Sequence, residues 1–167
     1  MPILETERLI LRALRQDDLD AYASFVADPE VTRFLGDGRT LDRAQSWRQI
    51  AMFLGHWELR GFGMWGVELR STGEFVGRVG LHEPEGWPGT EVGWLIGPPH
   101  QGNGYATESG RAAIEFAWRE LGRSHLLSLI RPENVASIRV AERLGARFDR
   151  RIEMGGLPVA VFRLDRV

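Results

Sequence analysis

Leu9, Leu11 and Ala13 alternate with Arg8, Ile10 and Arg12, the two-residue period of a strand with one better-buried face. Past Asp17 the apolar positions Leu19, Tyr22, Ala23 and Val26 fall at helical spacing, and an acidic first turn suits a helix start. That helix ends near Asp28-Pro29. A short helical piece with Val31, Phe34 and Leu35 follows and stops at Gly36-Asp37-Gly38, which reads as a surface turn able to border a pocket. Thr40 is the expected N-cap of a long helix carrying Trp47, Ile50, Ala51, Leu54 and Trp57 on one face and ending at Gly61.

The period then returns to that of strands in Met64 to Leu69 and Phe75 to Leu81, joined by the turn Ser71-Thr72-Gly73-Glu74. A fourth strand, Glu91 to Gly97, carries Gly93 inside it, the mark of a bulge or a close backbone approach. From about Thr107 to Leu121, Ala106, Gly110, Ala113 and Ala117 make a small-residue stripe that lets a helix lie close on a sheet. A fifth strand, His125 to Ile130, ends at Arg131-Pro132. Asn134 then caps a helix with Val135, Ile138, Ala141 and Leu144 on one face and Gly145 behind it. Arg147 to Glu153 and Pro158 to Leu164 close the chain as a strand pair around Gly155-Gly156. The order β, α, α, α, β, β, β, α, β, α, β, β predicts an α/β (α+β) fold, a mixed sheet of about seven strands with helices on its faces. No repeat or linker interrupts it, so residues 1–167 read as one domain.

Composition narrows the chemistry. A net charge of −2 offers no general attraction to nucleic acid or anionic membrane, and no apolar run is long enough to span a bilayer. The start of the chain lacks the charged-then-apolar pattern of a signal segment, so a cytoplasmic protein is expected. The absence of cysteine excludes disulfides, thiolate metal sites and cysteine nucleophiles. All 21 basic residues are arginine, which removes Schiff-base lysines and the Walker phosphate loop. His56, His82, His100 and His125 never fall at the i, i+4 spacing of a helical metal site, so no metal is expected.

The remaining chemistry converges on Pro98 to Glu108. Prolines end the preceding strand, Gly102 and Gly104 can turn successive amides towards one point, and a helix start offers unbonded N–H groups to an anion. A Rossmann reading of Gly102-x-Gly104 fails on position, because the loop lies late in the chain and Thr107 replaces the third glycine. The spacing Gln101-x-x-Gly104-x-Ala106 instead resembles the acyl-CoA motif of the GNAT superfamily of N-acetyltransferases. Thr6-Glu7-Arg8-Leu9, Asp28-Pro29-Glu30-Val31, Glu91-Val92-Gly93-Trp94, Gly104-Tyr105-Ala106-Thr107-Glu108 and the pattern from Asn134 through Ser137, Val140 and Glu142 to Leu144-Gly145 agree with it. Together they are similar to the ribosomal-protein N-terminal acetyltransferase branch over nearly the whole chain.

The resemblance implies a mostly antiparallel sheet splayed between the fourth and fifth strands, with acetyl-CoA as donor and a homodimer as a family-level expectation. The pantetheine arm would pair with Leu95 and Ile96 and meet Asn134. Its pyrophosphate would rest on Gln101 and the amides of Gly102, Asn103, Gly104, Tyr105, Ala106 and Thr107. An amine, from a protein N-terminus or a small molecule, would attack the thioester directly. Glu91 is the candidate base, directly or through water, with His82 sharing or replacing it; the competing reading of Glu91 is a solvated strand-end carboxylate. The tyrosine that many relatives use as an acid corresponds here to Ala141, which leaves Ser137 as a hydrogen-bond donor to sulfur. Phe34, Trp65, His82 and Trp87 are the candidate acceptor walls. A non-catalytic acyl-CoA sensor of the same fold is the alternative.

Overall fold

The computed structural model describes residues 1–166. Eight strands, β1 (Leu4–Glu5), β2 (Leu9–Arg12), β3 (Met64–Leu69), β4 (Phe75–His82), β5 (Glu91–Ile96), β6 (His125–Ile130), β7 (Arg147–Met154) and β8 (Leu157–Asp165), form one sheet in the order β1-β2-β3-β4-β5-β6-β8-β7. Seven answer to the sequence pattern; β1 is two residues long, too short to show a period. Every neighbouring pair is antiparallel except β5 and β6.

Helices α1 (Leu19–Val26), α2 (Pro29–Thr32), α3 (Arg43–Arg60), α4 (Tyr105–Arg119) and α5 (Val135–Arg143) complete the fold. On one face, Tyr22 and Phe25 of α1 and Ile50 and Phe53 of α3 pack on Met64, Phe75 and Leu95. On the other, Ala113, Ile114, Phe116 and Ala117 of α4 pack on Trp65, Val67, Val79, Leu81 and Val92. The predicted small-residue stripe of α4 is buried at Gly110, Ala113 and Ala117, where an added Cβ at Gly110 would press on Leu144 at 3.0 Å. A smaller cluster of Ile130, Ala141, Ala146, Ala160 and Phe162 seats α5. No helix among the described residues is long and apolar enough to cross a membrane.

Several local expectations shift. The N-cap of α3 is Asp42, not Thr40: its carboxylate accepts from the Gln45 amide at 2.7 Å, and the Gln45 side chain accepts from the Asp42 amide at 2.8 Å. That reciprocal pair satisfies two otherwise free donors. The buried face of α3 is Ile50, Phe53, His56 and Trp57, while Trp47 is 50% exposed and Ala51 and Leu54 face outward. Two stripes share Ile50 and Trp57, so spacing alone cannot choose between them. Val135, expected on the inner face of α5, is exposed at its first turn. Helix α4 starts two residues early because Gly104, with φ +81°, turns the chain directly into it. Gly93 sits in regular register opposite Gly80, so β5 has no bulge there.

The parallel pair β5–β6 meets at a single point, Glu91 opposite Leu127. The Leu127 amide donates to the Thr90 carbonyl oxygen at 2.9 Å and the Ser128 hydroxyl to the Val92 carbonyl oxygen at 2.9 Å. Beyond that point the strands share no register, and the sheet opens as a fork.

Candidate active site

The register of β4 against β5 sets His82 beside Glu91, Gly80 beside Gly93 and Arg78 beside Leu95. Side chains two apart share a face, so these six positions lie together on the face covered by α1 and α3. The facing glycines add no side chains of their own between the Glu91 pair and the Arg78 pair, and the Met64 methyl and the Glu91 carboxyl reach over Gly93. Only glycine fits at Gly80, where φ is +157° and a Cβ would come within 2.3 Å of the Gly63 carbonyl oxygen. A cleft of about 520 Å³ rises from this floor. The Phe34–Asp37 turn and the α3 residues Gln49, Met52 and Phe53 line one side, and Leu129–Arg131, Asn134 and Ser137 the other.

Glu91 stands where the fork opens. Burial pushes its carboxyl up to about 7, against the Trp87 indole, the Leu129 amide and the Arg78 charge, which all favour the ionised form. Trp87 Nε1 donates to Glu91 Oε2 at 2.9 Å. The residue is half-buried, so solvent still reaches it through the cleft. His82 behaves oppositely: burial, then the neighbouring His56 and Arg78, lower it to about 4. Its ring stacks on His56 at 5.1 Å and meets Trp87 edge-on at 5.2 Å, and its buried Nδ1 has no partner among the described residues. His56 is fully engaged: its Nε2 accepts from the Glu83 amide at 3.0 Å, so Nδ1 carries the proton shared with the Phe62 carbonyl oxygen at 2.7 Å. Near neutral pH the cleft thus holds one carboxyl poised to titrate beside a neutral imidazole.

The glycine loop lies past the far end of β5. Gly102 and Gly104 both take φ +81°, a conformation other residues resist. The amides of Gly102, Asn103, Gly104, Tyr105 and Ala106 have no hydrogen-bond acceptor among the described residues. Thr107, expected to join them, is already bonded to the Gly104 carbonyl oxygen at 3.1 Å, because α4 begins earlier. Five free donors at the start of a helix suit phosphate oxygens. The loop is braced from the chain's beginning. Glu108 accepts from the Thr6 hydroxyl at 2.6 Å, the Arg8 amide at 2.9 Å and the Arg8 guanidinium at 2.7 Å. Burial alone would raise its carboxyl, and these bonds outweigh that and hold it below the usual range. Arg8 also lies over the Tyr105 ring at 4.8 Å.

Of the residues expected from the sequence, Glu91, His82, Trp87, Phe34, Asn134 and Ser137 gather at the cleft. Trp65 does not. It is 0% exposed, sits between β3 and α4 against Phe116, and donates its indole N–H to the Pro2 carbonyl oxygen at 2.9 Å. Its place on β3 points it to the α4 face, one residue out of phase with Met64, which lines the cleft instead. Leu95 is also displaced from its expected part. The Thr90 and Val92 carbonyls point at β6, so alternation turns the Trp94 and Ile96 backbone into the fork and that of Leu95 towards β4. Gln101 donates to the Ile96 carbonyl oxygen at 2.9 Å, fixing the loop to the strand end, and Asn103 braces the loop on the His100 carbonyl oxygen at 3.0 Å. Asn134 is an N-cap, accepting from the Ser137 amide at 3.1 Å, which leaves its side-chain NH₂ free. Ala141 lies in the α5 core, away from the cleft. Sequence reading missed Arg78, whose signal was a lone charge inside the otherwise apolar run Phe75 to Leu81. It also missed Gln49, Met52 and Arg131, which carry no pattern of their own.

A second hollow, about 500 Å³, lies around Arg12, Asp18 and Glu68. There Arg12 pairs with Asp18 at 2.8 Å and with Glu68.

Known proteins align with this geometry. A family model of the acetyltransferase (GNAT) domain matches residues 8–147. The uncharacterized N-acetyltransferase YoaA of Bacillus subtilis is 34% identical over 147 residues, covering 86% of this chain and 82% of that protein. The crystal structure of an acetyltransferase from Agrobacterium tumefaciens superposes with a TM-score of 0.88 at 34% identity, covering 99% of this chain and 95% of that one. RimL, a ribosomal alpha-N-protein acetyltransferase solved in complex with coenzyme A, shares the fold with a TM-score of 0.81 at 17% identity, covering 98% of each chain. The forked sheet, the glycine loop and these matches together make the chain a member of the GNAT family, an acetyltransferase.

Proposed function

We infer that the protein is an acetyl-CoA-dependent N-acetyltransferase, carried by one domain, that moves an acetyl group directly to a primary amine of a protein N-terminus or a small molecule. The observation that carries this reading is the pairing, along one strand, of five unbonded amides beyond the end of β5 with a carboxyl raised to about 7 at its start. Acetyl-CoA supplies the acetyl group as a thioester. Gly102 to Ala106 hold its phosphates, and the Trp94 and Ile96 backbone, with the Asn134 NH₂, aligns its pantetheine arm. The Trp94 N–H is the first β5 amide past the Glu91–Leu127 bridge that faces the fork, which suits it to the thioester oxygen as charge develops there.

Glu91 takes the proton from the acceptor ammonium, directly or through water, and its raised carboxyl matches that task near neutrality. His82, held near 4, is the weaker base and serves with Phe34 and Trp87 as a wall of the acceptor site. Ser137 donates a hydrogen bond towards sulfur. A thiolate with a pKa of about 8.5, by analogy with cysteine, leaves without a strong acid.

The rival, an acyl-CoA sensor without turnover, draws on one observation, the burial of Ala141 where relatives place an acidic tyrosine. Thiol release measured over a panel of amines and ribosomal-protein N-terminal peptides separates the two. Acceptor-dependent release is the expected result; tight acetyl-CoA binding with no release across the panel establishes the sensor.

A further inference from the structure

The cleft contains a buried cation that forms no salt bridge among the described residues. Arg78 is 8% exposed and lines the cleft floor. Its Nε donates to the Tyr22 hydroxyl at 3.1 Å, its Nη1 reaches only the Met64 sulfur at 3.7 Å, and its guanidinium lies over the Phe53 ring at 4.7 Å. Nη2 makes no hydrogen bond, and no carboxylate forms a salt bridge with the group among the described residues. The other buried arginine, Arg12, shows how this fold treats such a charge when it is only structural: it pairs with both Asp18 and Glu68. A buried guanidinium without a carboxylate is costly and implies a partner that arrives with the ligand.

Other charges around the cleft point the same way. Arg131 lines the wall, its buried Nε without a partner among the described residues. The acids are Glu91, whose backbone is paired with His82 and whose carboxyl leans over Gly93, and Asp37, at the exposed rim beside Arg39. Arg78 and His82 lie four positions apart on β4, roughly 13 Å between backbones. An extended arginine side chain shortens that gap to the length of a small molecule.

We propose that the acceptor is a small primary amine bearing a carboxylate, bound with its amine at Glu91 and its carboxylate on Arg78. This rests on the N-acetyltransferase reading and names its substrate class. Arg78 acts as the specificity-determining residue, its free Nη2 edge donating to the acceptor anion while Tyr22 and Phe53 hold the guanidinium still. Met64, whose sulfur meets Arg78 and whose methyl reaches over Gly93, borders the path between the two ends, and Gly80 and Gly93 add no side chains to it.

The test is a set of matched pairs, amino acids and ω-amino acids of increasing length against the amines that lack only the carboxylate. The wild-type enzyme should show kcat/KM at least about tenfold higher for the acid of the best pair, as expected for a charged hydrogen bond. Arg78→Gln should erase that preference and Arg78→Lys restore part of it, with acetyl-CoA affinity by calorimetry within about twofold. Equal or better use of the uncharged amines, or an unchanged ratio in Arg78→Gln, overturns the proposal; so does a preference for N-terminal peptides over every free amino acid. Calorimetric binding of the same acids to the CoA-loaded protein gives a readout independent of turnover. Binding lost in Arg78→Gln with no acetyl transfer in any pair would sustain the anion site and refute the transferase.

Discussion

At the scale of single residues, the proposed base Glu91 ties activity and stability to pH. A base titrating at about 7 makes kcat/KM rise with pH through that value, and Glu91→Gln should lower kcat by roughly 10² to 10⁴ with little change in acetyl-CoA affinity. Stability runs the other way. A carboxyl whose folded value lies above its unfolded value of about 4.5 binds more protons in the native state, so its cost to folding grows as pH rises from there through 7. The shift sets a ceiling of about 3 kcal/mol on that cost, reduced by the solvent reaching this half-buried residue. Glu91→Gln is therefore predicted to melt higher than wild type at pH 8 and with little difference at pH 4, which thermal denaturation across pH checks. A lower melting temperature at pH 8 would mean that the carboxylate is not buried at a cost. The motif showed where Glu91 lies, but its electrostatic setting was illegible, because Trp87, Leu129 and Arg78 surround it only once the sheet has formed.

At the scale of elements, the loop before α4 and the strand β5 illustrate what a sequence can and cannot disclose. The turned backbone at Gly102 and Gly104 was readable because a positive φ has few residues to choose from. Which amides stay free was not readable, since it depends on α4 starting at Tyr105 and consuming the Thr107 donor. Likewise the pairing direction of β5 decides that Trp94, and not Leu95, turns its backbone to the fork, and one residue of register inverts that choice. Gly104→Val forces a branched side chain into the left-handed region, at a cost of at least 1–2 kcal/mol, and is predicted to raise the KM for acetyl-CoA about tenfold or more while kcat at saturation falls less. Glu108→Ala removes the brace between Thr6, Arg8 and the helix start and should raise the same KM more modestly. Steady-state kinetics with varied acetyl-CoA measure both; a KM that stays put in both variants would dissociate the loop from the donor.

At the scale of the whole molecule, the sheet divides its aromatic residues between two jobs. Trp65 and Trp57 belong to the packed interior, meeting at 4.8 Å edge to face, whereas Trp87 and Phe34 line the cleft. Alternation along β3 gave Trp65 an even chance of either face, and the burial of its indole against α4 resolves it. Trp65→Ala should cost roughly 3–5 kcal/mol of stability, read by denaturant unfolding, while Trp87→Ala should leave stability nearly intact and lower the pH at which activity half-rises only if the indole were raising the Glu91 carboxyl. Its bond favours the ionised form, so the predicted shift is upward. The mixed sheet, the order of helices and the glycine turn before α4 were legible from periodicity and spacing. The place of Arg78 was not, because it joins His82 and Glu91 at the cleft only through the register of β4 against β5. In the proposed reaction this register assembles a working base beside the fork. Its most direct measurement is acceptor-dependent thiol release from acetyl-CoA, followed from pH 5 to 9 in the wild type and in Glu91→Gln. Release that climbs through about pH 7 and collapses in the variant is the predicted result; a profile shared by both proteins would contradict it.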